Sequence, residues 1–315
     1  MRMRMRDLRL LAAAALFCPA VGCNWMREWR EKDSTPRPIG KIEPQPPEKF
    51  ISLLNWRAKQ FQSVEYSDVH VRVTGKDLLV PVSVDGSLAA AQPRNFRMRA
   101  NGKMAGTIDL GSNPEQFWVY AQAPGDTMFV YASHDDFEKG KARLPGNLPF
   151  EPDWVMLALG LAELPSAAAY DVQINDRERT YTVGWSAVSP NGVPVRKEVV
   201  IDADPATGKR SQVKRHVLRD AKSKLIATAE IKSAEVFRVG QNAKGEPLVI
   251  QYPTHLVLRW ENPRFEMDMT LDGAAVNTGL AQNPARQALF IRPTFPNTPA
   301  VDLARYDFPT GRPAR

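Results

Sequence analysis

Short apolar segments separated by tight-turn sequences are the feature that most constrains how this chain folds. The turn sequences include residues 124–126 (PGD), 190–192 (PNG) and 204–208 (DPATG), and these residue types favour tight reversals of the backbone. Links this short leave no room for a helical crossover, so they predict antiparallel strands. The predicted strands are VEYSDVHVRV, the two arms of NFRMRANGKMAGTIDLGSN, QFWVYAQ, TMFVYAS, YDVQIN, RTYTVGWSAVS, VRKEVVIDAD, SQVKRHVLRD, LIATAEIKSAEVF, THLVLRW and FEMDMTL.

Two segments follow helical spacing instead. Residues 47–62 carry apolar side chains on one face after a proline start, which predicts an amphipathic helix. In residues 150–164, Trp154 and Leu157 share a face and Pro152 stands near the start, which predicts a second helix midway along the chain. Together these elements predict a mainly β (α+β) fold, in which a curved antiparallel sheet wraps over an N-terminal helix and an inserted one.

The run NFRMRANGKMAGTIDLGSN predicts a β-hairpin whose loop length decides which residues pair. A two-residue Asn-Gly loop would set the two apolar rows on opposite faces of the sheet. A three-residue loop pairs Ala100 with Met104 and keeps both rows on one face. The same register pairs Phe96 with Ile108. We therefore expect a three-residue loop with a bulge at Gly102, which would take a positive φ.

The N-terminus has the organisation of an export signal. Four arginines and one acid lie within residues 1–9, and an apolar stretch follows at residues 10–17. That stretch is well short of the ~20 apolar residues that span a bilayer, so a permanent transmembrane helix is not expected. The AVGC sequence at residues 20–23 resembles a bacterial lipobox and predicts a signal peptide at residues 1–22 with lipidation of Cys23. The alternative is a plain secretory signal that is cleaved before that cysteine.

Both cysteines of the chain, Cys18 and Cys23, lie in or beside this leader. If Cys23 is acylated, the folded part of the protein has no thiol, which excludes disulfides and thiolate metal sites there. The formal charge of +7 includes a net +3 from residues 1–22, so the remaining excess is modest. Export, and a sequence without zinc-finger or RRM signatures, predict no nucleic-acid partner.

Composition divides the rest of the chain into three parts. Residues 23–46 are charged and rich in proline, which predicts an extended tether. Residues 47–295 form the predicted folded domain, and residues 296–315 a loosely held tail. Asn24 follows the lipidated position in place of the Asp that marks inner-membrane retention in well-studied bacteria. This favours an outer-membrane location facing the periplasm.

The order of four features resembles the LolA/LolB-like lipoprotein-carrier superfamily over about residues 47–290. They are the helix at 47–62, the run FRMRANGKMAGTIDLGSNPEQFWVY, the helix EPDWVMLALGL and the hairpin VVIDADPATGKRSQVKRHVL. The resemblance implies an open half-barrel whose concave face, plugged by helices, can hold acyl chains. It also implies carriage of lipoproteins or lipids, or binding of partner proteins.

Catalytic motifs are not indicated by the sequence. No G-x-S-x-G elbow occurs, and the S-x-x-K match at Ser211 and Lys214 lies in a strand-like segment that sends the two side chains to opposite faces. The four histidines are dispersed, and His134-Asp135-Asp136 is interpreted as a solvated turn. The sequence therefore predicts a non-enzymatic protein without cofactor or metal.

Large apolar side chains are better candidates for function because a carrier needs a concave, mostly apolar cavity. In QFWVYAQ, Trp118 and Tyr120 share one face while Phe117 and Val119 share the other. The alternative is that such residues simply fill the core between sheet and helices. The candidate lining residues are Trp118, Tyr120, Trp154, Met156, Leu157 and Trp185.

The leading hypothesis is a monomeric, lipid-anchored envelope lipoprotein whose half-barrel binds an acyl chain, a lipoprotein or a protein partner. The alternative is a structural or accessory envelope module with a packed core and no cavity. A hydrolase is a third hypothesis, and it would need a cleft with converging acids or a serine–base pair.

Overall fold

The computed structural model describes residues 40–306 except 77–79, 104–105, 124–125, 143–150, 190–191, 205–211, 242, 244, 246, 263 and 281. The helices are α1 (Pro47–Gln60), α2 (His134–Glu138), α3 (Pro152–Ala158) and α4 (Pro284–Gln287), with a 3₁₀ turn at Ala288–Phe290. The strands are β1 (Ser63–Gly75), β2 (Val82–Ala91), β3 (Asn95–Gly102), β4 (Gly106–Ser112), β5 (Gln116–Ala123), β6 (Asp126–Ser133), β7 (Tyr170–Asn175), β8 (Thr180–Val188), β9 (Pro194–Asp202), β10 (Val213–Asp220), β11 (Leu225–Gln241), β12 (Pro247–Trp260), β13 (Phe265–Val276) and β14 (Val301–Asp302).

These strands form one sheet, in the order β14-β6-β5-β4-β3-β2-β1-β13-β12-β11-β10-β9-β8-β7. Two antiparallel meanders, β1–β6 and β7–β13, are joined where β1 pairs with β13. The sheet is curved and does not close, since its terminal strands β14 and β7 do not pair. The mainly β, antiparallel, open sheet predicted from the sequence is thereby confirmed, and only the two-residue β14 runs parallel to its neighbour.

Helix α1 covers part of one face of the sheet. We name this face, on which Tyr181 of β8 lies, the inner face. The helix begins at Pro47, where a missing N–H costs no hydrogen bond. Its buried side packs Phe50 against Tyr181 of β8, with ring centroids 4.8 Å apart. Leu54 lies against the same cluster. The amphipathic helix predicted over residues 47–62 is confirmed to within two residues of its end.

Helix α3 covers another part of the inner face but is shorter than predicted. It ends at Ala158, because Gly160 takes a positive φ of 83°. The N–H of Leu161 donates to the carbonyl of Met156, and the N–H of Gly160 to that of Leu157. This is the hydrogen-bond pattern of a Schellman C-cap, which ends a helix and turns the chain.

The register predicted for the β3–β4 hairpin is wrong. Ala100 pairs with Ile108, and Gly102 pairs with Gly106, so the loop is centred two residues later than expected. The positive φ belongs to Gly106, at 67°, rather than to Gly102. The partner of Phe96 moves by four residues, from Ile108 to Ser112. Because an even shift keeps each side chain on its face, the apolar pattern could not distinguish the two registers.

Strand β2 and helix α2 were not predicted. The sequence of β2, VSVDGSLAAA, is poor in large β-branched residues, which weakened its strand signal. The sequence predicted a solvated turn at residues 134–136, and this prediction is wrong for His134. That side chain is buried at the start of α2 and contacts Ser112 Oγ at 3.2 Å.

Residues 296–315 were expected to form a loosely held tail. In the described part of this segment, the chain instead packs against the sheet. β14 pairs with Val130 and Tyr131 of β6, and Leu303 is buried. Just before it, Phe295 stacks on Tyr120 at a centroid distance of 3.7 Å. Cys23, the predicted leader and most of the predicted tether lie outside the described residues.

Candidate ligand cavity

Two adjoining concavities lie between the helices and the inner face of the sheet. The first, here named the inner cavity, has a volume of about 70 Å³. The second, here named the outer cleft, has a volume of about 460 Å³. Leu157 and Ala162 line both of them, so the two spaces adjoin at the end of α3.

The inner cavity is formed by α1, the end of α3 and strands β9 to β12. Its walls are mainly apolar, and its polar side chains come from α1, β10 and β12. The lining residues are Leu54, Arg57, Phe61, Leu157, Ala158, Leu159, Gly160, Ala162, Leu164, Val199, Val213, His216, Ile231, Ile250, Gln251, Tyr252 and Pro253.

Arg57 is the cation of the inner cavity, and it has no carboxylate partner among the described residues. Its Nη2 donates to Gln212 Oε1 at 2.7 Å, which is a neutral acceptor. Its Nε is buried and has no acceptor within the described part of the chain. Burial alone lowers the pKa of Arg57 from its ordinary value, because desolvation disfavours the charged form. Within the described residues, a partly buried guanidinium without a carboxylate partner therefore lies in this mainly apolar lining.

His216 is another polar residue of this cavity, together with Gln251 and Tyr252. Only 5% of the residue is exposed, and its Nδ1 is buried without a hydrogen-bond partner in the described residues. Desolvation lowers the pKa of His216 to about 4. The ring is therefore neutral near pH 7, with one nitrogen as a hydrogen-bond donor and the other as an acceptor.

The outer cleft combines an aromatic floor with a charged rim. Trp154 of α3 packs edge-to-face on Trp260, with ring centroids 6.2 Å apart. Trp185 of β8 lies on the same cleft, which also has polar and charged residues at its border. The outer-cleft residues are Gln92, Pro93, Arg94, Asp153, Trp154, Leu157, Leu161, Ala162, Glu163, Pro165, Trp185, Ala187 and Lys197.

Ion pairs hold the rim charges in place. Arg94 Nη2 lies 2.7 Å from both Glu138 and Asp153, which ties α2 to α3. Lys197 Nζ lies 2.6 Å from Glu151 Oε2. The rim charges are thus largely neutralised in pairs, in contrast to Arg57 inside.

Three of the six residues proposed from the sequence line the outer cleft: Trp154, Leu157 and Trp185. Leu157 also lines the inner cavity. Met156 is 1% exposed and packs in the core, away from both spaces.

The other two proposed residues lie on the opposite face of the sheet. Val119 pairs with Leu110, which packs against the core that contains Trp154. Trp118 and Tyr120 alternate with Val119 and so point away from the helices. Trp118 Nε1 donates to Asp109 Oδ1 at 3.1 Å, within a cluster closed by the C-terminal segment. The structure thus separates these two aromatics from the cavity.

Sequence reasoning missed Arg57 and His216 as cavity residues. A signal existed for Arg57, since positions 50, 54, 57 and 61 follow the spacing of one helical face. The other three positions on that face are Phe50, Leu54 and Phe61, so a cation stands within an apolar stripe. His216 has no comparable signal because its burial depends on neighbours from β9 and β11.

Metal-ligand clusters and membrane-spanning helices are both absent from the described residues. No group of three His, Cys, Asp or Glu side chains within the described ranges is arranged to hold a metal ion. In the same part of the chain, no helix combines the length and apolarity that crossing a bilayer requires.

Comparison with known proteins gives structural similarity only. No family model and no curated protein matches the chain. A domain described as an outer membrane lipoprotein-sorting protein, from Vibrio parahaemolyticus, is 9% identical, with a TM-score of 0.48, and the match covers 78% of this chain and 99% of that one.

Two further solved structures are similar at the same level. A DUF1329 family protein from Desulfovibrio piger is 11% identical, with a TM-score of 0.44, over 75% of this chain and 95% of that one. A LolA superfamily protein from Nitrosomonas europaea is 10% identical, with a TM-score of 0.44, over 77% of this chain and 97% of that one. At these identities the ligand of this chain has to be inferred from its own side chains.

Proposed function

We propose that this chain is a non-enzymatic envelope lipoprotein that holds an apolar ligand between its curved sheet and its helices. The ligand is an acyl chain, carried as a free lipid or as part of a lipoprotein, or the apolar segment of a protein partner. Cys23 would carry the lipid anchor, and residues 23–46 would space the domain from an outer membrane whose periplasmic side it faces. The folded domain would act as a monomer.

The observation that carries this proposal is the outer cleft with its aromatic floor. Its volume of about 460 Å³ lies within the range of about 300–1,000 Å³ that is typical of ligand sites. Leu157 offers partly exposed apolar surface in the cleft, and Trp154 and Trp185, which are 2% and 3% exposed, form its packed floor. Each CH₂ group moved from water into such a surface contributes about 0.8 kcal/mol.

Catalysis is less well supported by this geometry. The carboxylates at the cleft already have cationic partners: Asp153 pairs with Arg94 at 2.7 Å, and Glu163 with Lys59 at 3.5 Å. Carboxylates held as ion pairs are suited to positioning rather than to proton transfer. A structural module with a filled core is the other candidate, but such a module has no need of the outer cleft.

Native mass spectrometry of full-length protein extracted gently from its membrane tests the proposal. The wild type should carry a lipid-sized adduct. Leu157→Trp fills the point where the two concavities meet and should strongly reduce the adduct. Ile174→Trp adds the same indole at a site on edge strand β7 that is 36% exposed, and it should leave the adduct unchanged. An empty wild-type protein, or equal loading of all three, would overturn the proposal.

A further inference from the structure

The inner cavity has a chemical preference that its apolar walls do not explain. A guanidinium taken out of water without a counter-ion is costly to the fold. Arg57 is partly removed from water: its Nη2 donates to Gln212, while Nε is buried and has no acceptor among the described residues. An anion that enters the cavity would supply the missing acceptor and the missing charge.

His216 narrows the choice of anion. Its ring is neutral near pH 7, because desolvation holds its pKa at about 4. With the proton on Nδ1, it offers one uncharged donor in the cavity lining that it shares with Arg57. A single negative charge with two acceptor oxygens, as in a carboxylate, matches one guanidinium edge and one imidazole N–H. A phosphate dianion would keep one negative charge uncompensated.

The volumes restrict where the rest of the ligand lies. At about 70 Å³ the inner cavity offers room for about two water-sized groups, so it admits a head group and little more. Leu157 and Ala162 line both this cavity and the outer cleft of about 460 Å³, so the two spaces are neighbours. A chain with its charged end at Arg57 would therefore continue past α3 over Trp154 and Trp185.

We propose that the inner cavity binds the carboxylate of a free fatty acid, with Arg57 as its counter-ion and His216 Nδ1 as a second donor, while the acyl chain lies in the outer cleft. This inference rests on the proposed function and deepens it by naming the ligand class. A site of this kind would favour a free fatty acid over an acyl group in ester or amide linkage, because the linked acyl group has no carboxylate.

Isothermal titration calorimetry on the full-length protein tests the inference with two ligands of equal chain length, decanoate and 1-decanol. Wild-type protein should bind decanoate about tenfold more tightly than decanol, the scale of one charge-assisted hydrogen bond. Arg57→Met keeps the apolar stem and should remove this preference without weakening decanol binding. Lys49→Met removes an exposed cation from the same helix and should retain the full preference.

Arg57→Lys guards against misinterpreting a folding defect, because it keeps the charge and should retain part of the preference. Equal affinity of the wild type for both ligands, or an undiminished preference in Arg57→Met, would overturn the carboxylate site while leaving acyl binding intact. If neither ligand binds a folded wild-type protein, the proposed function fails together with this inference. The two failures are thus distinguishable.

Discussion

Asn55 of α1 and Leu164 of the segment after α3 are joined by a reciprocal pair of hydrogen bonds. Asn55 Nδ2 donates to the Leu164 carbonyl at 3.1 Å, and the Leu164 N–H donates to Asn55 Oδ1 at 2.7 Å. Leu54 and Leu164 both line the inner cavity. The paired bonds therefore fasten the two helical segments to each other beside the space that we propose to hold the ligand.

Replacing Asn55 should weaken the attachment of α1 to the segment after α3. Asn55→Ala removes both bonds and leaves the partly buried backbone of Leu164 unsatisfied, which costs about 1–3 kcal/mol of unfolding free energy. Ligand exchange should also become faster, because the two segments separate more easily. Urea denaturation and stopped-flow release of a bound acyl ligand measure the two effects. Asn101→Ala, at an exposed strand position, is the control, and an equal loss of stability in both variants would contradict this role.

The buried imidazole of His216 predicts a pH dependence of stability. Its pKa is about 4 in the folded protein and about 6.5 in an unfolded chain. Below pH 6.5 the unfolded state takes up a proton that the folded state resists, so this contribution is complete above pH 6.5 and is lost as the pH falls to 4. The loss reaches about 3 kcal/mol.

Denaturation of the wild type and of His216→Leu between pH 4 and 7.5 measures this contribution as a difference. The variant should have the shallower profile. Burial also lowers the pKa of His134, so some slope should remain in the variant. Parallel profiles for wild type and His216→Leu would show that the ring is accessible to protons in the folded state.

The fold was predicted from two local signals, the alternation of apolar residues and the short turn sequences between strands. Alternation and short links identified most strands and their antiparallel order because these signals come from near neighbours in sequence. Helix α1 was predictable for the same reason. The hairpin register at Ala100 was not, since moving each partner by an even number of residues preserves every apolar face.

The cavity depended on contacts that no local pattern contains. Alternation established that Trp118 and Tyr120 share a face, but the two faces of β5 are both apolar, and one is closed only by Phe295, far away in sequence. Trp154 and Trp185 line one cleft, which required only that α3 cover the sheet. Arg57 was visible as a cation in an apolar stripe, but only the three-dimensional structure shows that its acceptor among the described residues is the neutral Gln212.

The antiparallel pairing of β2 with β3 leaves no room for a side chain at Gly86. A Cβ at Gly86 would lie 1.9 Å from the carbonyl oxygen of Arg99, which is backbone and cannot rotate away. Gly86→Ala should therefore separate the strands and lower the unfolding free energy by about 1–3 kcal/mol. Ser87→Ala, at the adjacent exposed position, should change it little. Comparable urea midpoints for the two variants would disprove this steric argument.

Substitution of the two cysteines tests the proposed anchor, with Cys23 as the test position and Cys18 as its control. If Cys23 is acylated and Cys18 leaves with the signal peptide, Cys23→Ser should shift the protein from the membrane fraction to the soluble fraction, because each buried CH₂ of an anchor contributes about 0.8 kcal/mol. Cys18→Ser changes only the discarded leader and should leave the protein on the membrane. Fractionation of cells followed by immunoblotting measures both. Retention of Cys23→Ser on the membrane, or equal release of both variants, would mean that the domain is held there by another contact.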